Sequence, residues 1–225
     1  MTHSNHRRGS RESLMGDWVI FTYPGKTTEH SRKILNIYTK YNPVGCSSSA
    51  MENGKRTSKR YIKGWDKKQD SGVHKSVSLA EMRELNEPGG WVAGVYDNKV
   101  SVQGVISELG EGDFGSCTVV SGIFDDTFDA LKKSDVAYPH TINMSAETFG
   151  KLELLPEPKI LEIITMCGHH FVSRHLVKHM INEVKKGRRT AKEAAVELGK
   201  QCTCNFFNAA RAEKLINEYI KTEQA

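Results

Sequence analysis

The stretch DWVIFTY, residues Asp17–Tyr23, gives the first indication of the fold. It is a run of apolar, aromatic and β-branched residues, and the turn-forming pair Pro24-Gly25 follows it directly. A short apolar run bounded by turn residues is typical of a buried strand. We therefore predict a strand in the core of the protein, followed by a turn.

Outward from this run, helical and extended patterns alternate along the chain. Thr27 or Thr28 can cap a helix whose apolar side carries Ile34, Leu35, Ile37 and Tyr38. The order predicts an α/β protein of the α+β type, with a small mixed sheet covered by helices. A two-layer, ferredoxin-like arrangement is the first choice. Further helices are predicted after Ser78 and over Asp125–Lys133, and residues 100–109 are interpreted as a helix with a strand as the alternative. Strands are predicted at Trp91–Tyr96 and Cys117–Ser121, and Pro139–Met144 is expected to be a fourth strand or an extended segment.

Two polar segments interrupt or precede this pattern. We predict that residues 1–15 form a flexible basic arm and that residues 16–155 form an α/β domain. Within that domain, residues 45–76 form a polar, basic insertion, which we expect to be a long loop or partly disordered. Residues 51–75 hold eight Lys and Arg against three acids, which matches the whole net charge of +5.

This concentration of charge bears on binding partners. Because the basicity is local, it argues against a nucleic-acid-binding surface spread over the fold. The basic loop 51–75 also carries Tyr61 and Trp65, so a local contact with nucleic acid stays open.

We predict that residues 156–225 form a C-terminal unit of three helices. Gly187 stands where a helix ends, and Thr190 with Glu193 forms a capping box for the next helix. That helix is expected to end at Gly199, and a third begins near Ala209.

Three cysteines of this unit form the candidate site. Cys167 is expected at the start of the first helix, and Cys202 and Cys204 just before the third. The positive end of a helix lowers the pKa of a thiol and stabilises the thiolate that metals require. The sequence therefore predicts one pocket lined by three sulfur atoms.

Histidines beside Cys167 complete the predicted ligand set. Three cysteines and one histidine satisfy the closed tetrahedral rule for structural zinc, and the same ligands suit an iron–sulfur cluster. His169 is the first choice for the fourth ligand and His170 its substitute. Asn205 and Thr203 are expected to donate hydrogen bonds to the sulfur atoms.

Three functions follow from this constellation. The first is a redox or accessory protein with an iron–sulfur cluster, or another metal, on Cys167, His169, Cys202 and Cys204. The second is a structural zinc site in a binding or scaffold module. The third is a metal-free thiol enzyme, with Cys167 or the Cys202–Cys204 pair reacting and His169 or His170 as base. His140 is a further candidate catalytic residue, at a predicted sheet end. If the protein is an enzyme, a metal- or cluster-dependent oxidoreductase is the first choice.

Composition limits the cellular setting. Five cysteines at uneven spacing do not resemble a disulfide framework, and the polar N-terminus lacks the apolar segment of a secretory signal. No stretch approaches the roughly 20 apolar residues of a membrane helix. We expect a cytoplasmic protein with reduced thiols. A protein partner, a small-molecule substrate and a homo-oligomer all stay open.

Overall fold

A computed structural model gives the structure of the protein and describes residues 7–23, 27–52, 54–70, 76–85, 88–134, 139–144 and 148–224. The described strands are β1 (Trp18–Thr22), β2 (Gly45–Glu52), β3 (Lys55–Ile62), β4 (Pro88–Tyr96) and β5 (Thr118–Ser121). The described α-helices are α1 (Arg11–Leu14), α2 (Thr28–Lys40), α3 (Leu79–Arg83), α4 (Lys99–Gly112), α5 (Phe124–Lys133), α6 (Pro158–Ile164), α7 (Arg174–Lys185), α8 (Ala191–Gln201) and α9 (Ala209–Gln224).

The five described strands form one sheet in the order β3-β2-β4-β1-β5, and the pairings between them are antiparallel. All five residues of β1 are buried, which confirms the strand predicted from DWVIFTY. Successive side chains of a strand point to opposite faces. Trp18 and Ile20 therefore enter one core, and Val19 and Phe21 enter the other.

Helices cover both faces of this sheet. Helices α2–α5 pack with Trp18 and Ile20, and α6–α9 pack with Val19 and Phe21. The predicted α/β class is confirmed, whereas the two-layer, ferredoxin-like arrangement is not, because the sheet lies between two helical layers. The predicted C-terminal unit begins close to α6 and shares a core with the sheet. None of the helices in the described ranges is long and apolar enough to cross a membrane.

Local capping signals predicted several helix ends correctly. Thr27 caps α2, where its Oγ1 accepts a hydrogen bond from the backbone N–H of His30 at 3.1 Å. Thr190 and Glu193 form the capping box of α8, and Gly187 adopts a φ of 69° after α7. Helix α8 continues to Gln201 instead of ending at Gly199, because burial of its last turn outweighs the cost of a glycine in a helix.

The expectation of a loop or disorder in the polar insertion 45–76 is wrong for most of its length. Residues 45–52 and 55–62 are the paired strands β2 and β3, in which Gly45 lies opposite Ile62. Pairing with β4 buries Ser47 and Ser48 in the sheet. Residues 71–75 lie outside the described residues. Of the two alternatives for Pro139–Met144, the strand is wrong, because residues 139–144 belong to no strand and most of them are exposed.

The N-terminal arm is ordered where the structure describes it. Residues 1–6 of the predicted arm lie outside the described residues. Ser10 caps the short helix α1, and the side chain of Arg7 is 6% exposed in an ion pair with buried Asp17. The ion pair and the capped helix place residues 7–15 in contact with the domain, whereas the flexibility of the arm stays a prediction.

Candidate functional site

Two loops of the C-terminal unit carry the three cysteines. Cys167 lies in the loop between α6 and α7, and Cys202 and Cys204 lie in the loop between α8 and α9. The expected location at helix N-termini is wrong: Cys167 follows the end of α6, and Cys202 is the C-terminal cap residue of α8. The positive end of a helix is therefore not the source of thiolate character here.

The packing of α6–α9 brings four predicted side chains into a contiguous group. Cys167 and Cys202 are buried in the same core, and each thiol shifts the pKa of the other. The Sγ atoms of Cys202 and Cys204 lie 3.6 Å apart, and Sγ of Cys204 lies 3.5 Å from Nδ1 of His169. A disulfide would require about 2.05 Å, so these are free thiols in contact. We call Cys167, Cys202, Cys204 and His169 the thiol–imidazole cluster.

Burial and mutual hydrogen bonds set the acidity of the three thiols. The hydrogen bond with Cys202, together with burial, raises the pKa of Cys167. The hydrogen bond with Cys167 lowers the pKa of Cys202, but the bond with Cys204 and burial outweigh it and raise this pKa to about 11. The hydrogen bond with Cys202 lowers the pKa of Cys204 despite its burial. Cys204 is thus the thiol most ready to ionise within the cluster.

The cluster has a buried floor and an exposed mouth. Cys167 and Cys202 are both fully buried, whereas Cys204 is half-buried. His169 is exposed and stacks on the exposed ring of Phe171, with ring centroids 5.6 Å apart and planes at 15°. Solvent and ligands therefore reach the cluster from the side of His169 and Cys204.

Strained backbone flanks both loops of the cluster. His170 and Asn205 have φ angles of 56° and 58°, in the left-handed region that non-glycine residues rarely adopt. Such conformations persist where the surrounding structure holds them, and they concentrate at functional sites. A left-handed backbone conformation therefore occurs directly after His169 and directly after Cys204.

Asn205 acts differently from its predicted role as a donor to sulfur. Its buried Nδ2 donates to the backbone carbonyl oxygens of Cys46 at 3.0 Å and of Tyr61 at 2.8 Å. The hydroxyl of Ser47 donates to the carbonyl oxygen of Cys204 at 2.9 Å. These bonds tie the loop of Cys202 and Cys204 to the hairpin β2–β3.

Arg60 is a residue near the cluster that the sequence did not reveal. Its buried Nη1 donates to the carbonyl oxygens of Lys200 at 3.0 Å and Cys202 at 3.2 Å. Its guanidinium also lies 5.5 Å from the ring centroid of Trp65. In the sequence Arg60 is one of many cations in a polar stretch, and only its place in a strand sets it apart. It puts a buried positive charge beside the thiols.

Two other predicted residues have lesser parts. The backbone N–H of His170 donates to the carbonyl oxygen of Cys167 at 2.9 Å, so His170 shapes the loop through its main chain. His140 is exposed, and residues 139–144 around it belong to no strand. Its side chain has no part in the hydrogen bonds described around the cysteines.

The cluster offers thiolate and imidazole donors, although it is not arranged as a finished metal site. In the part of the chain that the structure describes, no group of three or more His, Cys, Asp and Glu side chains is placed so that it could hold a metal ion. The contacts run as a chain from Cys167 through Cys202 and Cys204 to His169. Thiols and imidazoles are, as side-chain types, ligands of soft metals, and thiols also undergo disulfide exchange. A scan against protein-family models, a search of curated proteins and a search of solved structures each found no match to this chain.

Proposed function

We propose that the protein binds a metal centre, an iron–sulfur cluster in the first instance, through the thiolates of Cys167, Cys202 and Cys204 and the imidazole of His169. The observation that supports this most directly is the pair of contacts at 3.6 Å and 3.5 Å along the thiol–imidazole cluster. Two sulfur ligands of one tetrahedral ion lie about 3.8 Å apart, and a sulfur and a nitrogen ligand about 3.6 Å apart, from the usual bond lengths. The two contacts therefore fit donors that share one iron or one zinc ion.

Metal binding on these residues needs one local change. The contacts form an open chain, so Cys167 or His169 must turn its side chain until all four donors face one point. His169 is exposed and lies at the solvent end of the chain of contacts, so a turn of its ring displaces no buried side chain. The buried pair Cys167 and Cys202 would stay in place.

The charges around the cluster favour bound thiolates. Three thiolates in a buried site need nearby positive charge or hydrogen-bond donors. The guanidinium of Arg60 is bonded to the carbonyl oxygen of Cys202 and supplies such a charge. An iron–sulfur cluster is the preferred occupant because a weakly held imidazole of His169, on the exposed side of the site, could give way to a substrate, as expected of an oxidoreductase. Structural zinc uses the same donors and is the alternative metal.

Purification without oxygen tests the proposal. We expect a coloured protein that contains iron and sulfide, with an electron paramagnetic resonance signal after reduction. Cys204→Ser should lose the colour, whereas Cys117→Ser, which changes an exposed cysteine outside the cluster, should keep it. Zinc in place of iron would support the alternative metal. Protein free of both metals that also fails to bind Co²⁺ would overturn metal binding here.

A second candidate function is a dithiol redox pair. It is favoured by the 3.6 Å contact between Cys202 and Cys204 and by the half-buried position of Cys204, which an oxidant can reach. In this reaction the Cys204 thiolate attacks glutathione disulfide and releases one glutathione thiolate. The Cys202 thiol then loses its proton and displaces the second glutathione, which leaves an intramolecular disulfide. Equilibration of metal-free protein in glutathione buffers, read by mass spectrometry, tests it: a loss of two mass units confined to the 202–204 peptide is expected, and mixed disulfides alone would exclude it.

A further inference from the structure

Arg7 joins the two cysteine loops from outside the C-terminal unit. Its Nη2 donates to the carbonyl oxygen of Met166 at 3.4 Å and also to the carbonyl oxygen of Phe206. Met166 directly precedes Cys167, and Phe206 follows the Cys202–Cys204 loop. One guanidinium therefore spans the two backbone segments whose thiols meet in the cluster.

Arg7 is itself held by a buried ionic network. Its Nη1 pairs with the carboxylate of Asp17, whose side chain is completely buried. Asp17 also pairs with Arg211 at 2.7 Å and accepts a hydrogen bond from Asn208 at 3.0 Å. Because Asp17 directly precedes β1 and Arg211 lies in α9, this network fixes Arg7 relative to the sheet and to the last helix.

A planar fork of donors suits this arrangement better than a single ammonium group would. Arg7 uses one arm of the fork on the Asp17 carboxylate and the other on the two carbonyl oxygens. The thiols depend on the relative position of the two loops, since Cys167 comes from one loop and Cys202 from the other.

We propose that Arg7 is a positioning residue of the thiol–imidazole cluster, which holds the Cys167 loop and the Cys202–Cys204 loop in register. Its importance for ligand binding rests on the proposed function, but the register of the thiols does not. A segment at the start of the chain thereby completes a site built from the last sixty residues. Loss of Arg7 separates the thiols while the helices that carry them stay folded.

Cross-linking of Cys167 to Cys202 measures this register without a metal. The parent is Cys117→Ser/Cys204→Ser, in which Cys46 is buried on the opposite face of the sheet. Diamide in the presence of a chelator oxidises the two thiols to a disulfide and takes up both protons and both electrons as the hydrazine. The rate is read from the cross-linked peptides after quenching. Because no metal is present, failure of metal binding leaves this measurement unaffected.

Three further changes in that parent isolate the role of Arg7. Arg7→Gln should slow cross-linking about tenfold or more, since a shift of about 1 Å between reacting groups can cost up to 10²-fold. Arg11→Gln alters an exposed arginine of the same arm, paired with Asp126, and should leave the rate unchanged. Leu35→Ala destabilises the core on the opposite face and controls for general loss of stability.

Arg7→Lys separates positioning from charge. Lysine keeps a positive charge beside Asp17 but not the fork, so it should restore the unfolding midpoint more than the cross-linking rate. Equal cross-linking rates for Arg7→Gln and Arg11→Gln would overturn the proposal. A rate in Leu35→Ala as low as in Arg7→Gln would also overturn it, since general destabilisation would then account for the loss. Failure of the parent to form the Cys167–Cys202 disulfide would overturn the proposal as well.

Discussion

The Sγ atom of Cys204 lies 3.5 Å from Nδ1 of His169, although 35 positions of sequence separate the two residues. His169 reaches this contact because it shares a loop with Cys167, whose free thiol is buried in the same core as that of Cys202. The contact joins the exposed imidazole to the buried sulfur atoms. His169 is therefore the side chain through which ligands in solvent first meet the thiol–imidazole cluster.

Removal of this imidazole should weaken metal binding with little effect on folding. We expect His169→Ala to lower the affinity for Co²⁺ or Zn²⁺ by at least tenfold, because changes merely in the outer shell of a metal site already cost about 10–100-fold. Exposure of the ring implies a change in unfolding free energy within about 0.5 kcal/mol. Competition titration against a chromophoric chelator gives the affinity. His175→Ala, at an exposed position on α7, is the matched control, and equal affinities for the two variants would contradict the assignment of His169.

The five cysteines should differ sharply in alkylation by iodoacetamide in metal-free native protein. Cys117 is exposed and Cys204 half-buried, so these two should be labelled first. Cys46, Cys167 and Cys202 are buried and should be labelled much more slowly than these two, and burial also raises the pKa of Cys46 to about 12. Peptide mass spectrometry after timed quenching gives each rate. Labelling of Cys167 as fast as Cys117 would show that the floor of the cluster is open.

Acid should weaken the fold through Asp17. Burial raises the pKa of this carboxyl group, but the charges of Arg7 and Arg211 and the hydrogen bonds of Arg7 and Asn208 outweigh burial and hold the pKa below its ordinary value of 3.8. A lowered pKa means that the unfolded chain takes up the proton first as pH falls. The stabilisation is therefore complete above about pH 4 and is lost as the pH falls through the native value.

The variant Asp17→Asn isolates this contribution. At pH 7 we expect it to lower the unfolding free energy by about 3–5 kcal/mol, because it leaves the buried guanidinium groups of Arg7 and Arg211 without a counter-charge. Urea unfolding at several values between pH 7 and pH 2 should show the gap between wild type and variant narrowing below about pH 4. A gap that stays constant over this range would rule out the ionised carboxylate as its source.

Asn205 should contribute both through its side chain and through its backbone. Asn205→Gly removes the bonds from Nδ2 to the carbonyl oxygens of Cys46 and Tyr61 but accepts the φ of 58°, and should cost about 2 kcal/mol. Asn205→Ala removes the same bonds and adds about 1–2 kcal/mol of left-handed strain. Chemical unfolding of both variants measures the two terms. If alanine were tolerated as well as glycine, backbone strain at this position would be negligible.

Local chemistry made much of the fold predictable. The apolar run at Asp17–Tyr23, the threonine cap of α2 and the capping box of α8 each act within a few residues. Their effects are therefore present in the sequence itself. Helical periodicity likewise located α9 and its buried Leu215 and Ile216.

Non-local pairing hid the rest. The segment GCSSSAME has little strand propensity, and it becomes β2 because β3 and β4 satisfy its backbone on both sides. Arg60 and Arg7 resemble the solvated cations around them in the sequence, yet both are buried by partners more than a hundred positions away. Such partners cannot be inferred from spacing.

For the candidate site, the sequence alone identified the residue types: three thiols and an imidazole in two short loops of one helical unit. Tertiary structure alone decided that Cys167, Cys202, Cys204 and His169 come together. It also decided that hydrogen bonds and burial, and not helix ends, set the pKa values of the thiols. Only the side of the cluster at His169 and Cys204 faces solvent. The physical reason is range. Caps and periodicity act between neighbours in sequence, whereas the position of one loop against another is fixed by the packing of whole helices on the sheet.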